Sequence, residues 1–158
     1  MTTFEGDFSP PAGRFAIVAG RFNSLVTEAL LSGCLDALAR HGVERDRVDL
    51  AWVPGSFEIP LIAGKLAHSG KYAAVITLGC VIRGDTGHYD QVANQTTSGV
   101  MQAGLSSGVP VIFGVLTTDT VEQALNRSGL KAGNKGIDAA MAAIEMVNLL
   151  AKIEGSKP

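Results

Sequence analysis

Cysteine is scarce in this chain. Cys34 and Cys80 are the whole complement; they stand in unrelated contexts and match neither a disulfide framework nor a metal-ligand spacing. Both read as reduced thiols, Cys34 as a small buried hydrophobe at helical spacing from Leu30 and Leu38. An excess of positive charge is missing too. With 13 Lys and Arg against 15 Asp and Glu the formal charge is -2, which argues against a nucleic-acid partner. At 46% hydrophobic and 18% charged residues, the composition is not that of a disordered chain. No segment approaches the roughly 18 consecutive apolar residues of a membrane span. The start, MTTFEGDFSPPAG, has no cationic stretch followed by an apolar run. The expectation is a cytoplasmic protein with small-molecule partners, no membrane and no metal. Nucleotide fingerprints also fail: no G-x-G-x-x-G follows the first apolar run, and in GLKAGNKG the fifth position after Gly129 is Asn134, so the segment is not a P-loop.

What the chain does have, in 158 residues that suit one domain with a real core, is an alternation of two periodicities. Short apolar runs at residues 14–19, 48–53, 73–78 and 110–116 read as strands, each followed by Gly, Pro-Gly or a threonine pair. Helical spacing lies between them. One helix starts after the capping candidates Asn23 or Ser24 and stops at Gly42; a second runs from near Pro60 to His68. A third, from about Tyr89 to Ser107, shows Val92, Thr96, Val100 and Ala103 on one face, and its many small residues predict close packing against a neighbour. Asp119 with Glu122 has capping-box spacing for a short helix through Arg127. The last helix carries Ile137, Ala140, Met141, Ile144, Val147 and Ala151, ahead of a polar GSKP tail. Strands joined by connections too long for hairpins predict an open α/β sandwich, a four-stranded parallel sheet with right-handed crossovers and helices on both faces.

Ligands of such sheets bind beyond the carboxyl ends of the strands. The segments there are GRFN, PGSFE, GCVIRGDTGH and LTTDT. In the third, Gly84 and Gly87 can adopt backbone angles closed to other residues and let a ligand approach the main chain, while the helix that follows offers unpaired N–H groups to an anion. A plain tight turn is the competing reading. His41 and His68 fall in the last turns of helices, a structural position. His88 instead opens a helix beyond a strand end, where an imidazole can shuttle protons. Phe22 and Phe57 can pack in the core or stack on a planar ring. Glu58 can serve its helix or accept hydrogen bonds from a ligand. Arg127 ends a short helix, where a cation is favourable, and its planar fork also suits phosphate. Lys135 is a further cation. The Arg83-Gly84-Asp85 triplet also matches an adhesion motif, but three residues recur by chance.

Taken in order, RFN (21–23), PGSFEIP (54–60), GCVIRGDTGHYD (79–90), PVIFGVLTTDT (110–120), EQALNRSG around Arg127 and KAGNKG (131–136) resemble the lumazine synthase family over nearly the whole chain. The resemblance implies a flavodoxin-like three-layer sandwich at residues 13–158, and an N-terminal arm at residues 1–12 that adds a strand to a neighbouring subunit. It implies a transferase that condenses 5-amino-6-(D-ribitylamino)uracil with 3,4-dihydroxy-2-butanone 4-phosphate to 6,7-dimethyl-8-ribityllumazine, releasing phosphate and water. This is the penultimate step of riboflavin biosynthesis and uses no cofactor. On that likeness Phe22 stacks on the pyrimidine, Ser56, Phe57, Glu58, Cys80, Val81 and Ile82 hold its polar edge and ribityl chain, and Phe113 closes the pocket from the next subunit. Asp85 and Thr86 bind phosphate through their amides, helped by Arg127 from across a subunit boundary and by Lys135. His88 is the acid/base. The carboxylate of Asp85 then has to face away from the anion. The family also implies a homo-oligomer, a pentamer that in some members stacks into a 60-subunit icosahedral shell, with riboflavin synthase as a partner. The uninserted KAGNKG loop tilts the expectation toward a shell. A flavin- or lumazine-binding protein without turnover, and a container without catalysis, are the alternatives; the intact set Phe22, Glu58, His88 and Arg127 favours the enzyme, because a pure binder needs no phosphate arginine.

Overall fold

A computed structural model describes residues 1–155; beyond Gly155 the expected polar tail lies outside the described residues. Four strands, β1 (Phe15–Gly20), β2 (Val48–Val53), β3 (Ala74–Ile82) and β4 (Val111–Thr118), form one sheet in the order β2-β1-β3-β4. All three pairings are parallel. Among the described residues five α-helices connect and cover them: α1 (Ser24–Arg40), α2 (Ile59–Ala67), α3 (His88–Ser107), α4 (Val121–Arg127) and α5 (Lys135–Gly155). Among the described residues this is the flavodoxin-like strand order without a fifth strand.

The central strands are buried on both faces, which is why they read as unbroken apolar runs. In β1 and β3, Phe15, Ile17, Ile76 and Leu78 join Leu30, Leu38, Ala140 and Ile144 of α1 and α5 on one side. Ala16, Val18 and Val75 join Ile59, Ala63 and Val100 of α2 and α3 on the other. Each fully buried aliphatic side chain contributes roughly 1.5–3 kcal/mol. The predicted close packing of α3 is present: a Cβ at Gly99 would stand 2.6 Å from Pro60 Cβ of α2. α1 and α5 approach more closely still, since a Cβ at Gly136 would fall 1.9 Å from the Leu30 carbonyl oxygen.

Several boundaries differ from the sequence reading. β3 runs on past Leu78 to Ile82 and β4 to Thr118, because Gly79, Cys80, Val81 and Ile82 pair with Val115, Leu116, Thr117 and Thr118. Gly79 does not end the strand; it makes room, since a Cβ there would meet Ser56 Oγ at 2.7 Å. The capping box of α4 is Thr120 with Gln123, one residue beyond Asp119 and Glu122. Asn23 precedes α1 without capping it by its side chain. In α5, Ile137 and Ala151 are exposed, and the buried stripe is Gly136, Ala139, Ala140, Ala143 and Ile144. In α3 the buried face holds Ala93 with Thr96, Val100 and Ala103, while Val92 is only partly covered.

Among the described residues 1–12 hold no strand. They run along α5, where Asn148 Nδ2 donates to the Asp7 and Ser9 carbonyls at 2.9 Å each and Lys152 Nζ donates to the Glu5 carbonyl at 2.9 Å. The Lys152 ammonium, 2.6 Å from Asp7 Oδ2, holds that carboxyl well below the usual carboxylate range. Among the described residues no helix is long and apolar enough to cross a membrane.

Both cysteines are buried thiols. Loss of hydration raises Cys34 from the ordinary 9.0 to about 12 and Cys80 to about 11. Because the folded chain binds these protons more tightly than the unfolded one, their contribution to stability is whole below pH 9 and is lost as the pH climbs toward 11 and 12. At pH 8 neither thiol should react with Ellman's reagent in the native protein, and both should react once it is unfolded. Rapid labelling of native Cys34 would contradict its burial.

Candidate functional site

The chain passes from β1 to β2 on one side of the sheet and then crosses back to β3 on the other. With right-handed crossovers, that reversal sends the segment after β1 toward the α1/α5 face and the segments after β2 and β3 toward the α2/α3 face. The divergence opens a crevice at the carboxyl ends of the strands. A cleft of about 630 Å³ lies there, lined by Phe22 and Asn23 after β1, Pro54 to Glu58 after β2, Cys80 to Ile82 of β3, and Gly84, Thr86, His88, Tyr89, Gln91 and Val92 beyond it.

Backbone bonds fix the rim. Phe22 N donates to the Pro54 carbonyl at 3.1 Å and Arg21 N to the Val53 carbonyl at 2.8 Å, tying the turn after β1 to the end of β2. Phe22 is 72% exposed and Phe57 59% exposed, so neither is a core residue: two aromatic faces are left uncovered at the cleft. A Cβ at Gly55 would stand 3.4 Å from Glu58 Oε2 and 3.9 Å from Phe22 Cβ. The Glu58 carboxylate and the root of the Phe22 side chain therefore meet at one stretch of main chain, an arrangement that sets an exposed ring and a hydrogen-bond-accepting carboxylate beside the same cleft. Ser56 is buried, and Thr96 Oγ1 of α3 donates to its carbonyl at 3.1 Å, locking the 56–58 turn to α3.

The β3–α3 connection supplies the opposite wall. Thr86 Oγ1 accepts from His88 N at 3.4 Å at the start of α3, a twenty-residue helix whose first turn holds exposed N–H groups and a partial positive charge. His88 is exposed and lines the cleft. Gly84 and Gly87 are not in the left-handed region, Gly87 having φ of -68°, and a Cβ at either would meet nothing within 4 Å. The expectation of unusual angles is thus corrected: no backbone constraint within the chain demands glycine here, and what the two positions provide is uncovered main chain. Asp85 is exposed and is not part of the cleft lining.

Of the residues singled out from the sequence, the fold brings together Phe22, Ser56, Phe57, Glu58, Cys80, Val81, Ile82, Thr86 and His88. Phe113, Arg127 and Lys135 are elsewhere. Phe113 sits on edge strand β4 opposite Thr77, packed against the α2/α3 side. Arg127, exposed at the end of α4, and Lys135, at the start of α5, flank one compact loop closed by a Gly129 N to Gly133 O bond of 2.8 Å and an Ala132 N to Asn126 O bond of 2.7 Å. His41 and His68 cap their helices, each ring Nδ1 meeting the carbonyl four residues back, at 2.7 and 2.8 Å.

The ties made by three residues escaped the sequence reading. Asn23 takes the left-handed conformation, φ 62° and ψ 47°, and its Nδ2 donates to the Cys80 carbonyl at 2.9 Å, so it joins the ends of β1 and β3 beneath the cleft. Asparagine is among the few non-glycine residues that accept that geometry, the one signal available beforehand. Asn134 joins α1, α4 and α5: its Nδ2 donates to Ala29 O at 3.0 Å and Ser128 O at 3.2 Å, and its Oδ1 accepts from Gly136 N at 2.8 Å. Arg83, just beyond the end of β3 beside the 84–88 turn, pairs with Asp90 and Asp119 and stacks on the Tyr89 ring. A model of the 6,7-dimethyl-8-ribityllumazine synthase family matches residues 12–151, a span that takes in all four strands and every cleft residue, and the chain belongs to that family.

Proposed function

We propose that the cleft condenses 5-amino-6-(D-ribitylamino)uracil with 3,4-dihydroxy-2-butanone 4-phosphate to 6,7-dimethyl-8-ribityllumazine, with release of phosphate and water, as the penultimate step of riboflavin biosynthesis in the cytoplasm. The observation that carries this reading is the convergence of an uncovered ring (Phe22), a carboxylate (Glu58), a helix N-terminus with open main chain (residues 84–88) and an imidazole (His88) on one crevice in a chain of this family. Phe22 stacks on the pyrimidine. Ser56, Phe57, Glu58, Cys80, Val81 and Ile82 accommodate its polar edge and the ribityl chain. The phosphate rests on the amides of Asp85 and Thr86, and the exposed Asp85 side chain faces solvent. His88 moves protons during imine formation, phosphate elimination and ring closure.

Arg127, Lys135 and Phe113 belong in this reading to the site of a neighbouring subunit. Their absence from the lining of their own chain's cleft supports that role, as does the compact hydrogen-bonded loop that separates the two cations in sequence. The subunits form pentamers that stack into a closed shell and hand their product to a riboflavin synthase. Residues 1–12 act as an arm adding a strand to a neighbour, where the β2 and β4 edges of the sheet leave backbone groups unpaired.

The chemistry needs no group beyond those of the two substrates and these side chains. Holding the amine against the ketone supplies much of the acceleration, since effective molarity is worth roughly 7–11 kcal/mol. Mixing the two substrates with the protein should produce lumazine absorbance and inorganic phosphate together; tight flavin binding with neither product would favour a binding protein instead. Arg127→Ala should raise the KM for the phosphorylated substrate about tenfold or more and leave that for the pyrimidine nearly unchanged, as expected on losing a charge-assisted fork to phosphate. Steady-state kinetics with both Michaelis constants unmoved would remove Arg127 from the site.

A further inference from the structure

Arg83 sits where β3 ends and the anion loop begins, yet its guanidinium does not line the cleft. Its Nε donates to Asp119 Oδ1 at 2.8 Å, its Nη1 to Asp90 Oδ1 at 3.4 Å, and its plane lies over the Tyr89 ring with 4.2 Å between Cζ and the centroid. Asp119 belongs to the connection between β4 and α4, Asp90 and Tyr89 to the first turn of α3. The Arg83 main chain is pinned as well, its N–H donating to the Thr118 carbonyl at 2.8 Å. One residue therefore bolts both ends of the 84–87 segment, its entry through the backbone and its exit through the side chain, to the carboxyl end of β4.

We infer that Arg83 is a positioning residue that holds the 84–88 turn and the His88 imidazole in register with the cleft. This rests on the proposed condensation for its kinetic consequence, though not for its structural one. Three observations carry it. The turn has little holding of its own: an added Cβ at Gly84 or Gly87 would meet nothing within 4 Å, and the side-chain bond within it, Thr86 Oγ1 to His88 N, is long at 3.4 Å. The Arg83 fork is occupied by two carboxylates and its face by Tyr89, so it is committed to these partners rather than presented to an anion. The charged groups are between 44% and 65% exposed, and exposed ion pairs add little to global stability, so the clasp acts on local geometry.

The same geometry dictates which replacements matter. Lysine keeps a point charge that can meet one carboxylate, but it has neither a fork for two nor a plane for the ring. Tyr89 lines the cleft one residue after His88, so the stack bears directly on the turn that carries the imidazole. Displacements of about 1 Å in such a constellation can cost about a hundredfold in rate.

The test uses Arg83→Gln, Arg83→Lys and Asp119→Asn in the full-length assembled protein, with two readouts. Amide hydrogen exchange in the 84–90 segment should speed up in Arg83→Gln and Asp119→Asn while the core of β1 and β3 keeps its protection; unchanged exchange in that segment overturns the inference whether or not the protein turns over. In kinetics, kcat/KM for the phosphorylated substrate should drop about tenfold in Arg83→Gln and Asp119→Asn, with Arg83→Lys in between and the pyrimidine KM little changed. If Arg83 bound the phosphate directly, Asp119→Asn would leave binding intact or tighten it, and that result would overturn a positioning role. Absence of turnover in the unmodified protein would sink the proposed reaction and leave the exchange experiment to decide on Arg83.

Discussion

Replacing His88 with alanine should lower kcat about 10²-fold or more, with turnover still measurable above the uncatalysed rate. General acid/base help is typically worth about 10²–10⁴-fold, and in the proposed condensation the rest of the acceleration would come from holding the two reactants together. His88 is exposed at the cleft, with its backbone N–H near Thr86 Oγ1. Removing its ring therefore leaves the turn in place, and the pyrimidine KM should stay within about threefold, a small change on the scale where tenfold is 1.4 kcal/mol. Single-turnover measurements with both substrates saturating isolate this step from product release. A kcat equal to that of the unmodified protein would take the imidazole out of the chemistry, whereas complete loss with a raised pyrimidine KM would point to a collapsed cleft.

The second large effect concerns the scaffold. Gly136→Ala should destabilise the fold by about 3 kcal/mol, at the upper end of overpacking costs. The added methyl would stand 1.9 Å from the Leu30 carbonyl oxygen and 2.7 Å from its carbon; these are backbone atoms of α1, and no rotamer change moves them. Relief requires α5 to shift from α1, which disturbs Asn134, since its Oδ1 accepts from Gly136 N at 2.8 Å and its Nδ2 reaches Ala29 at 3.0 Å. Lys135 and the loop back to Arg127 would shift with it. Denaturant unfolding of both proteins at the same protein concentration measures the loss, because the stability of an assembly depends on protomer concentration. Gly155→Ala is the control, because nothing lies within 4 Å of its added Cβ, and it should be neutral or slightly stabilising as alanine favours helix. Equal stability of the Gly136 variant would contradict the α1–α5 contact.

The order of elements and the layer arrangement were legible in the sequence because the two periodicities are clean: buried runs such as FAIVA and AVITL admit few other readings, and each is followed by a helical stripe. The boundaries were less so, for identifiable reasons. Glycine normally interrupts a strand, but Gly79 continues one because the Ser56 hydroxyl crosses over it. Asp119/Glu122 and Thr120/Gln123 have the same spacing, and local sequence could not say that Gln123 Oε1 would fold back onto the Asp119 and Thr120 amides, at 2.8 and 3.3 Å. The cleft residues were legible as those following strands. Their ties were not: Asn23 meets Cys80 across 57 positions, and Arg83 meets Asp119 across 36. No pattern within a window of sequence reaches that far; only the parallel pairing of β1 with β3 and β3 with β4 brings them together.

The proposed reaction requires a site shared between two subunits, one giving Phe22, the 84–88 turn and His88, the other giving Arg127. Electron cryo-microscopy of the assembled protein with inorganic phosphate and the pyrimidine substrate tests this directly. The expected map has phosphate on the Asp85 and Thr86 amides, a neighbour's Arg127 within about 4 Å of it, and the pyrimidine stacked on Phe22. A map with Arg127 remote from every cleft, or with the pyrimidine bound away from Phe22, would contradict the account.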